Sequence, residues 1–148
     1  MSWVKEVIDT TRDVASDAIA LRKIKRSLLT QCQLNGKLLS EFYKNRRGMA
    51  QIRKEQIASR LDVNELEAAL NCGVPFTLIS RLKVTEKRLE KFNWKAKSLE
   101  GNDLETLLEK VYLMAAYLQK DYDNPDINLN NRLVNLYKYN LLLIELLK

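Results

Sequence analysis

The chain has 148 residues, of which none is histidine, four are glycine and two are proline. The missing histidine excludes imidazole-based acids, bases and metal ligands, and the scarcity of glycine argues against a glycine-rich phosphate loop. Apolar residues (46%) and charged residues (30%) stand in the proportions of a soluble globular protein, which argues against an intrinsically disordered chain.

The net charge of +6 is distributed along the chain in blocks of alternating sign. Residues 1–21 carry two bases against four acids, and residues 22–60 carry eleven bases against two acids. Residues 81–97 are again basic, and residues 98–126 are acidic. Antiparallel helices can lay such blocks side by side, so part of the charge is expected to be neutralised within the fold or across an oligomer. The basic balance alone therefore does not establish nucleic-acid binding.

The first predicted element is a long amphipathic helix over about residues 3–34. Ser2 is expected to cap it, and apolar residues recur behind this cap at steps of three and four. At 1.5 Å per residue the helix would be about 48 Å long. Asn35 and Gly36 suit either a C-cap that ends the helix or a kink before the helical pattern of residues 37–45.

This helix carries a seam that predicts helix-mediated association. Apolar residues repeat every seven positions along it, at Val7, Val14, Leu21 and Leu28, and the small Ala18 would let a second helix approach closely. The helix either packs in the bundle of its own chain, or protrudes and forms an intermolecular coiled coil or hairpin dimer. Trp3 is expected to anchor a partner or to cap the core.

Residues 49–61 and 64–72 predict two short helices, the second of which ends at Gly73. Their spacing resembles a helix-turn-helix motif, but the second helix carries Glu65 and Glu67 without any base. Acidic residues at that place would repel phosphates, so we assign no DNA-binding motif to this pair.

Pro75 begins the next predicted helix, which runs to about Leu99. Lysines step by four along it and predict a basic ridge that would follow a phosphate backbone, together with bases of the first helix. The residues of this nucleic-acid surface are Arg22, Lys25, Arg26, Lys83, Lys87, Lys91 and Lys95. Glu86 and Glu90 partly neutralise the ridge, so a solvated, ion-paired face is the alternative.

Two further helices complete the chain. Residues 102–105 have the spacing of a capping box with Asn102 as the cap, and the helix that they open is expected to end before Asn124. Asn124 is expected to cap the last helix and Pro125 to start it. That helix is apolar almost all round near its C-terminus, so it is either central or meets another chain through Leu142 and Leu146.

No residue pattern predicts a cofactor, a metal site or a catalytic centre. Cys32 and Cys72 have no partner that would complete a zinc site and are expected to be buried free thiols. Asp121, Asp123 and Asp126 lack the glycine and the glutamate of a calcium loop, and helix capping explains them better.

The sequence therefore predicts a single all-α domain over residues 1–148, a bundle of about five to seven helices, in the cytoplasm. No apolar run approaches the roughly 20 residues of a membrane span. The expected function is non-catalytic: a basic helical protein that packs against itself or another protein, as an oligomeric regulatory or adaptor subunit. Two alternatives remain open, a sequence-tolerant nucleic-acid-binding protein and an enzyme with a carboxylate or lysine site.

Overall fold

A computed structural model describes residue 4, residues 18–94 and residues 96–148. Over these residues the chain is helical and has no strand. The helices are α1 (Ala18–Asn45), α2 (Gln51–Arg60), α3 (Asn64–Asn71), α4 (Phe76–Ile79), α5 (Glu86–Lys91), α6 (Leu104–Asp121) and α7 (Leu129–Leu147), with a 3₁₀ turn at Lys97–Leu99. The predicted all-α bundle with a long amphipathic N-terminal helix is confirmed. No helix in the described ranges is long and apolar enough to cross a membrane.

The last helix, α7, lies at the centre of the bundle. It packs along α1 and along α6, while α2, α3 and α4 bridge α1 and α6. Four leucines of its C-terminal half are at most 1% exposed, namely Leu142, Leu143, Leu146 and Leu147. Leu141 and Ile144, on the remaining face, are partly buried. The apolar C-terminus is therefore explained by the central position of α7.

The predicted end of the first helix near Leu34 is wrong, because α1 continues without interruption to Asn45. Asn35, expected as a C-cap, instead uses its side chain to hold the loop between α2 and α3. Its Nδ2 donates to the backbone oxygen of Asp62 at 2.7 Å, and the backbone nitrogen of Asp62 donates to its Oδ1 at 2.9 Å. The side chain of Asn35 thus makes a tertiary contact and does not cap the helix, so α1 continues past it.

A second side chain of α1, that of Gln31, caps another helix. α3 begins behind Val63, which offers no side-chain hydrogen bond to the first turn. The Oε1 atom of Gln31 accepts the backbone N–H groups of Glu65 and Leu66 at 3.0 and 3.1 Å. Because the first N–H groups of a helix lack partners within it, Gln31 supplies from a distant part of the chain the acceptor that Val63 does not offer.

Gly36 faces α7 and permits the close approach of the two helices. A Cβ atom at this position would lie 3.4 Å from Asn140 Nδ2 and 3.7 Å from Ile144 Cδ1, which are ordinary contact distances. We expect Gly36→Ala to raise the free energy of unfolding by about 0.5–1 kcal/mol, because alanine loses less backbone entropy in a helix. Gly36→Leu should lower it by about 1–3 kcal/mol, because the larger side chain displaces Ile144.

Urea unfolding of the two Gly36 variants beside the wild type measures both changes. A destabilised alanine variant would contradict this account, since it would mean that the α1–α7 contact accepts no side chain at all.

The cap of α6 is Asp103 and not Asn102 as predicted. The Oδ1 atom of Asp103 accepts the backbone N–H of Thr106 at 2.9 Å, and this hydrogen bond lowers the pKa of the Asp103 carboxyl. Asn102 is directed elsewhere, because its Oδ1 accepts Lys110 Nζ at 2.7 Å. The capping box was predicted one residue too early.

The start of α7 was also predicted too early, at Pro125. The helix begins at Leu129, behind Asn128, whose Oδ1 accepts the backbone N–H of Asn131 at 3.0 Å. The Oδ1 atom of Asn124 accepts the N–H of Asp126 at 2.9 Å, only two residues on, and this bond closes a turn that no helix follows directly.

The predicted helix over residues 75–99 is wrong, because this segment forms α4, α5 and the 3₁₀ turn with irregular backbone between them. Ser80 is extended at the end of α4. Thr85 starts α5 by accepting the backbone N–H of Arg88, and Asn93 has a positive φ of 53° beyond its end. The backbone of Val84 then exchanges hydrogen bonds with Gly101 and Asn102.

Contacts with α7 explain this irregular course. The ring of Trp94 meets that of Tyr139 edge-on with centroids 5.0 Å apart, and Lys91 Nζ lies 2.9 Å from Glu145 Oε1. Val84, Leu89 and Leu99 of the same segment are at most 4% exposed, and the burial of such apolar side chains favours this course over the local helical pattern.

Candidate interaction surfaces

The structure divides the predicted association seam into three groups. Trp3, Val7 and Val14 lie outside the described residues. Ala18 is exposed and Leu21 is partly buried against the core. The remaining three residues, Leu28, Leu142 and Leu146, have no exposed surface. The helices of their own chain already cover them, so they offer no surface to a partner in this arrangement.

The predicted lysine ridge does not form. Lys83 lies in the irregular segment before α5, and only Lys87 and Lys91 lie on that helix. Lys91 is paired with Glu145, and this pairing lowers the pKa of the Glu145 carboxyl. Lys95 lies outside the described residues. The other predicted bases are on α1, where Arg22 and Arg26 are exposed and Lys25 is partly buried.

α1 carries five exposed bases, namely Arg22, Lys23, Arg26, Lys37 and Lys44. This helix carries six bases and only one acid, Glu41. The helical period places Lys23, Arg26, Lys37 and Lys44 on one exposed face. At 1.5 Å per residue this face extends for about 32 Å.

A groove of about 820 Å³ runs between α1 and α7 beside this basic face. Its apolar lining consists of Leu34, which is 58% exposed, and the partly buried Tyr137, Leu141 and Ile144. Lys37, Glu41 and Lys44 stand along the α1 side of it. The sequence patterns did not predict this groove, because it depends on which stretch of α1 lies against α7.

A second hollow, of about 780 Å³, lies at the corner where the chain passes from α1 into α2. Four bases line it, Lys44, Arg46, Arg47 and Arg53, together with Glu41. The Nε and Nη2 atoms of Arg53 donate to the two carboxylate oxygens of Glu41 at 2.8 and 2.7 Å. This pairing lowers the pKa of Glu41 and raises that of Arg53.

The guanidinium of Arg46 is fixed at the same corner. It lies over the ring of Tyr43 with its carbon 4.0 Å from the ring centroid, and its Nη1 donates to the Tyr43 backbone oxygen. The Tyr43 ring in turn stacks on Tyr137 of α7, with centroids 4.5 Å apart. The sequence indicated this corner only through the excess of bases in residues 22–60. The net charge of such a stretch does not show which of its bases lie close together in the fold.

The two thiols differ in their surroundings. Cys32 is fully buried, and burial raises the pKa of its thiol to about 12. Cys72 is exposed at the end of α3, so the expectation of two buried thiols is wrong for this residue. Among the described residues no three Cys, Asp or Glu side chains are grouped so that they would hold a metal ion.

The comparisons with known proteins add no relative to this picture, since no family model, curated protein or solved structure matches the chain.

Proposed function

We propose that this protein is a non-catalytic helical interaction module that binds an amphipathic helix of another protein in the groove between α1 and α7. The observation that carries the proposal is the exposure of Leu34. It lines a groove of about 820 Å³ together with three partly buried apolar residues of α7. A helix laid in such a groove would bury these side chains through anchors spaced three, four and seven residues apart.

The dimensions of the groove suit a short helix. Its α1 side runs from Thr30 to Lys44, which is about 21 Å at 1.5 Å per residue. This length corresponds to roughly four helical turns. A regulatory or adaptor subunit that captures one helix of a larger protein needs a surface of this kind.

The charge along the groove defines the partner. Lys37 and Lys44 stand along the rim, while the negative charge of Glu41 is compensated by Arg53 at 2.7 Å. The partner helix is therefore expected to carry acidic residues beside its apolar stripe. A second copy of this chain fits less well, because a two-fold interface would place the basic rims against each other.

A protein partner is also favoured over nucleic acid. The lysine ridge on which the hypothesis of nucleic-acid binding rested is not formed. Lys83 lies outside any helix, and Lys91 forms an ion pair with Glu145. The bases that remain on α1 border an apolar groove, and an apolar groove offers little to a phosphate backbone.

The test is affinity purification from the native host with cross-linking, followed by binding measurements with the purified partner. We expect the cross-links to place a partner helix on α1 and α7, and Leu34→Asp to weaken binding at least about tenfold without lowering the thermal midpoint. Ile52→Asp is the matched control, because Ile52 on α2 is also exposed, at 66%, but lies outside the groove.

Three outcomes would contradict the proposal. The first is a partner whose affinity is equal for the Leu34 and Ile52 variants. The second is a dimer, seen by light scattering, that Leu34→Asp dissociates, since the occupant would then be a second copy. The third is recovery of nucleic acid without a protein that cross-links to the groove.

A further inference from the structure

The hollow at the α1–α2 corner gathers more positive charge than the fold neutralises. Four bases and one acid line it, and the acid, Glu41, is held in a two-bond pair by Arg53. Lys44 and Arg47 are exposed, and neither they nor Arg46 have a carboxylate oxygen within 4.0 Å in the described part of the chain. Of the four cations at the hollow, three therefore have no ionic partner among the described residues.

Arg46 and Arg53 are held in place before any ligand arrives. Arg46 is stacked on Tyr43 and bonded to its backbone oxygen, and Arg53 is bonded to Glu41 and, through Nη1, to Gln56 at 3.2 Å. Each of these arrangements uses only part of the donors of a guanidinium, so further N–H groups remain available. Fixed guanidinium groups lose little side-chain entropy on binding, which favours recognition of oxyanions.

The backbone near the corner adds positive potential. α2 begins behind Ala50 without a side-chain cap, and its first turn contains no acid but does contain Arg53. Bases near a helix N-terminus are electrostatically unfavourable, because the helix dipole is positive there. A bound anion would relieve this repulsion as well as that between the four side chains.

We propose that this corner is a binding site for the diphosphate or triphosphate group of a small molecule. Planar guanidinium groups match phosphate oxygens in pairs, and several cations around one hollow suit a group with more than one phosphate better than a single one. A carboxylate ligand would carry too little charge to balance the site. The site adjoins the helix-binding groove but does not depend on it.

The experiment is a titration of the full chain with inorganic pyrophosphate. Amide chemical shifts and calorimetry monitor the binding. We expect saturable binding, with the largest shifts at residues 45–49, and a weakening of at least about tenfold in the double variant Arg46→Gln with Arg47→Gln. The matched control is Arg22→Gln with Arg26→Gln, which removes two arginines from the other end of α1 and should change binding less than about twofold.

A parallel titration uses a single-stranded oligonucleotide at the same salt concentration. The proposal is supported if pyrophosphate binding is lost in the Arg46/Arg47 variant alone. It is overturned if pyrophosphate does not saturate, or if both double variants weaken it equally, since the effect would then be one of general charge. The proposal is also overturned by a third result, in which the oligonucleotide binds, both double variants weaken oligonucleotide binding, and pyrophosphate does not compete with it. That result would indicate a nucleic-acid-binding surface along α1. Circular dichroism of each variant shows that it is folded.

Discussion

Gln31→Ala is expected to lower the free energy of unfolding by about 2–4 kcal/mol, because it leaves two backbone N–H groups of α3 without an acceptor. Gln31 is 6% exposed, and its Oε1 is the acceptor for both Glu65 and Leu66. Water has little access to replace it at the buried Leu66 N–H. Chemical denaturation measures the loss, and hydrogen exchange should show it locally as faster exchange at the first turn of α3.

Gln33→Ala is the matched control, since Gln33 is a glutamine of the same helix but is exposed. We expect a change within about 0.5 kcal/mol for this variant. Equal losses for the two variants would mean that the capping of α3 does not determine the effect, since alanine favours the helix at both positions.

Leu142→Ala and Leu146→Ala are each expected to lower the free energy of unfolding by about 2–5 kcal/mol, because both side chains have no exposed surface. Each substitution removes buried methyl groups from the centre of the bundle and leaves a cavity that the surrounding helices cannot close completely. Thermal and urea unfolding measure the change.

Leu34→Ala serves as the matched control for these two, because Leu34 is a helical leucine that is 58% exposed. Its stability should change by less than about 0.5 kcal/mol. If Leu142→Ala or Leu146→Ala kept full stability but abolished an association, the apolar end of α7 would be a partner surface and its placement in the core would be wrong.

Several predictions from the sequence are confirmed by the structure. The apolar period placed Ile24 and Leu28 on the inner face of α1, and both are buried. The same period describes the inner face of α6, where Leu107, Leu108 and Val111 are buried. These predictions succeeded because the buried face of a helix follows from a local repeat of 3.6 residues, which needs no knowledge of the neighbouring elements.

Other predictions failed where two patterns conflicted. Asn35 and Gly36 have the composition of a helix end, but the loop at Asp62 and the close approach of α7 use these residues inside a continuous helix. The lysines predicted on one ridge are separated because Thr85 starts a short helix of its own, which leaves Lys83 outside it. Turn and cap signals involve only a few residues, so their effect on the backbone is small. A large gain in buried area decides whether such a signal ends a helix or not.

The candidate surfaces show the same division. The sequence showed that bases are concentrated between residues 22 and 60, and that the C-terminus is too apolar for an ordinary surface helix. It did not show that Leu34 would remain exposed beside α7, or that Arg46 and Arg53 would meet at one corner. Such features depend on contacts between residues that are far apart in the chain, and composition and periodicity do not encode these contacts locally.

The sequence by itself thus determined the all-α class, the amphipathic faces and the absence of histidine chemistry, because each follows from residue types and their local spacing. Only the tertiary structure decided that α7 is central, that Gln31 caps α3, and which apolar and basic side chains stay on the surface. The physical reason is that burial and hydrogen bonding between distant segments decide among several locally allowed arrangements.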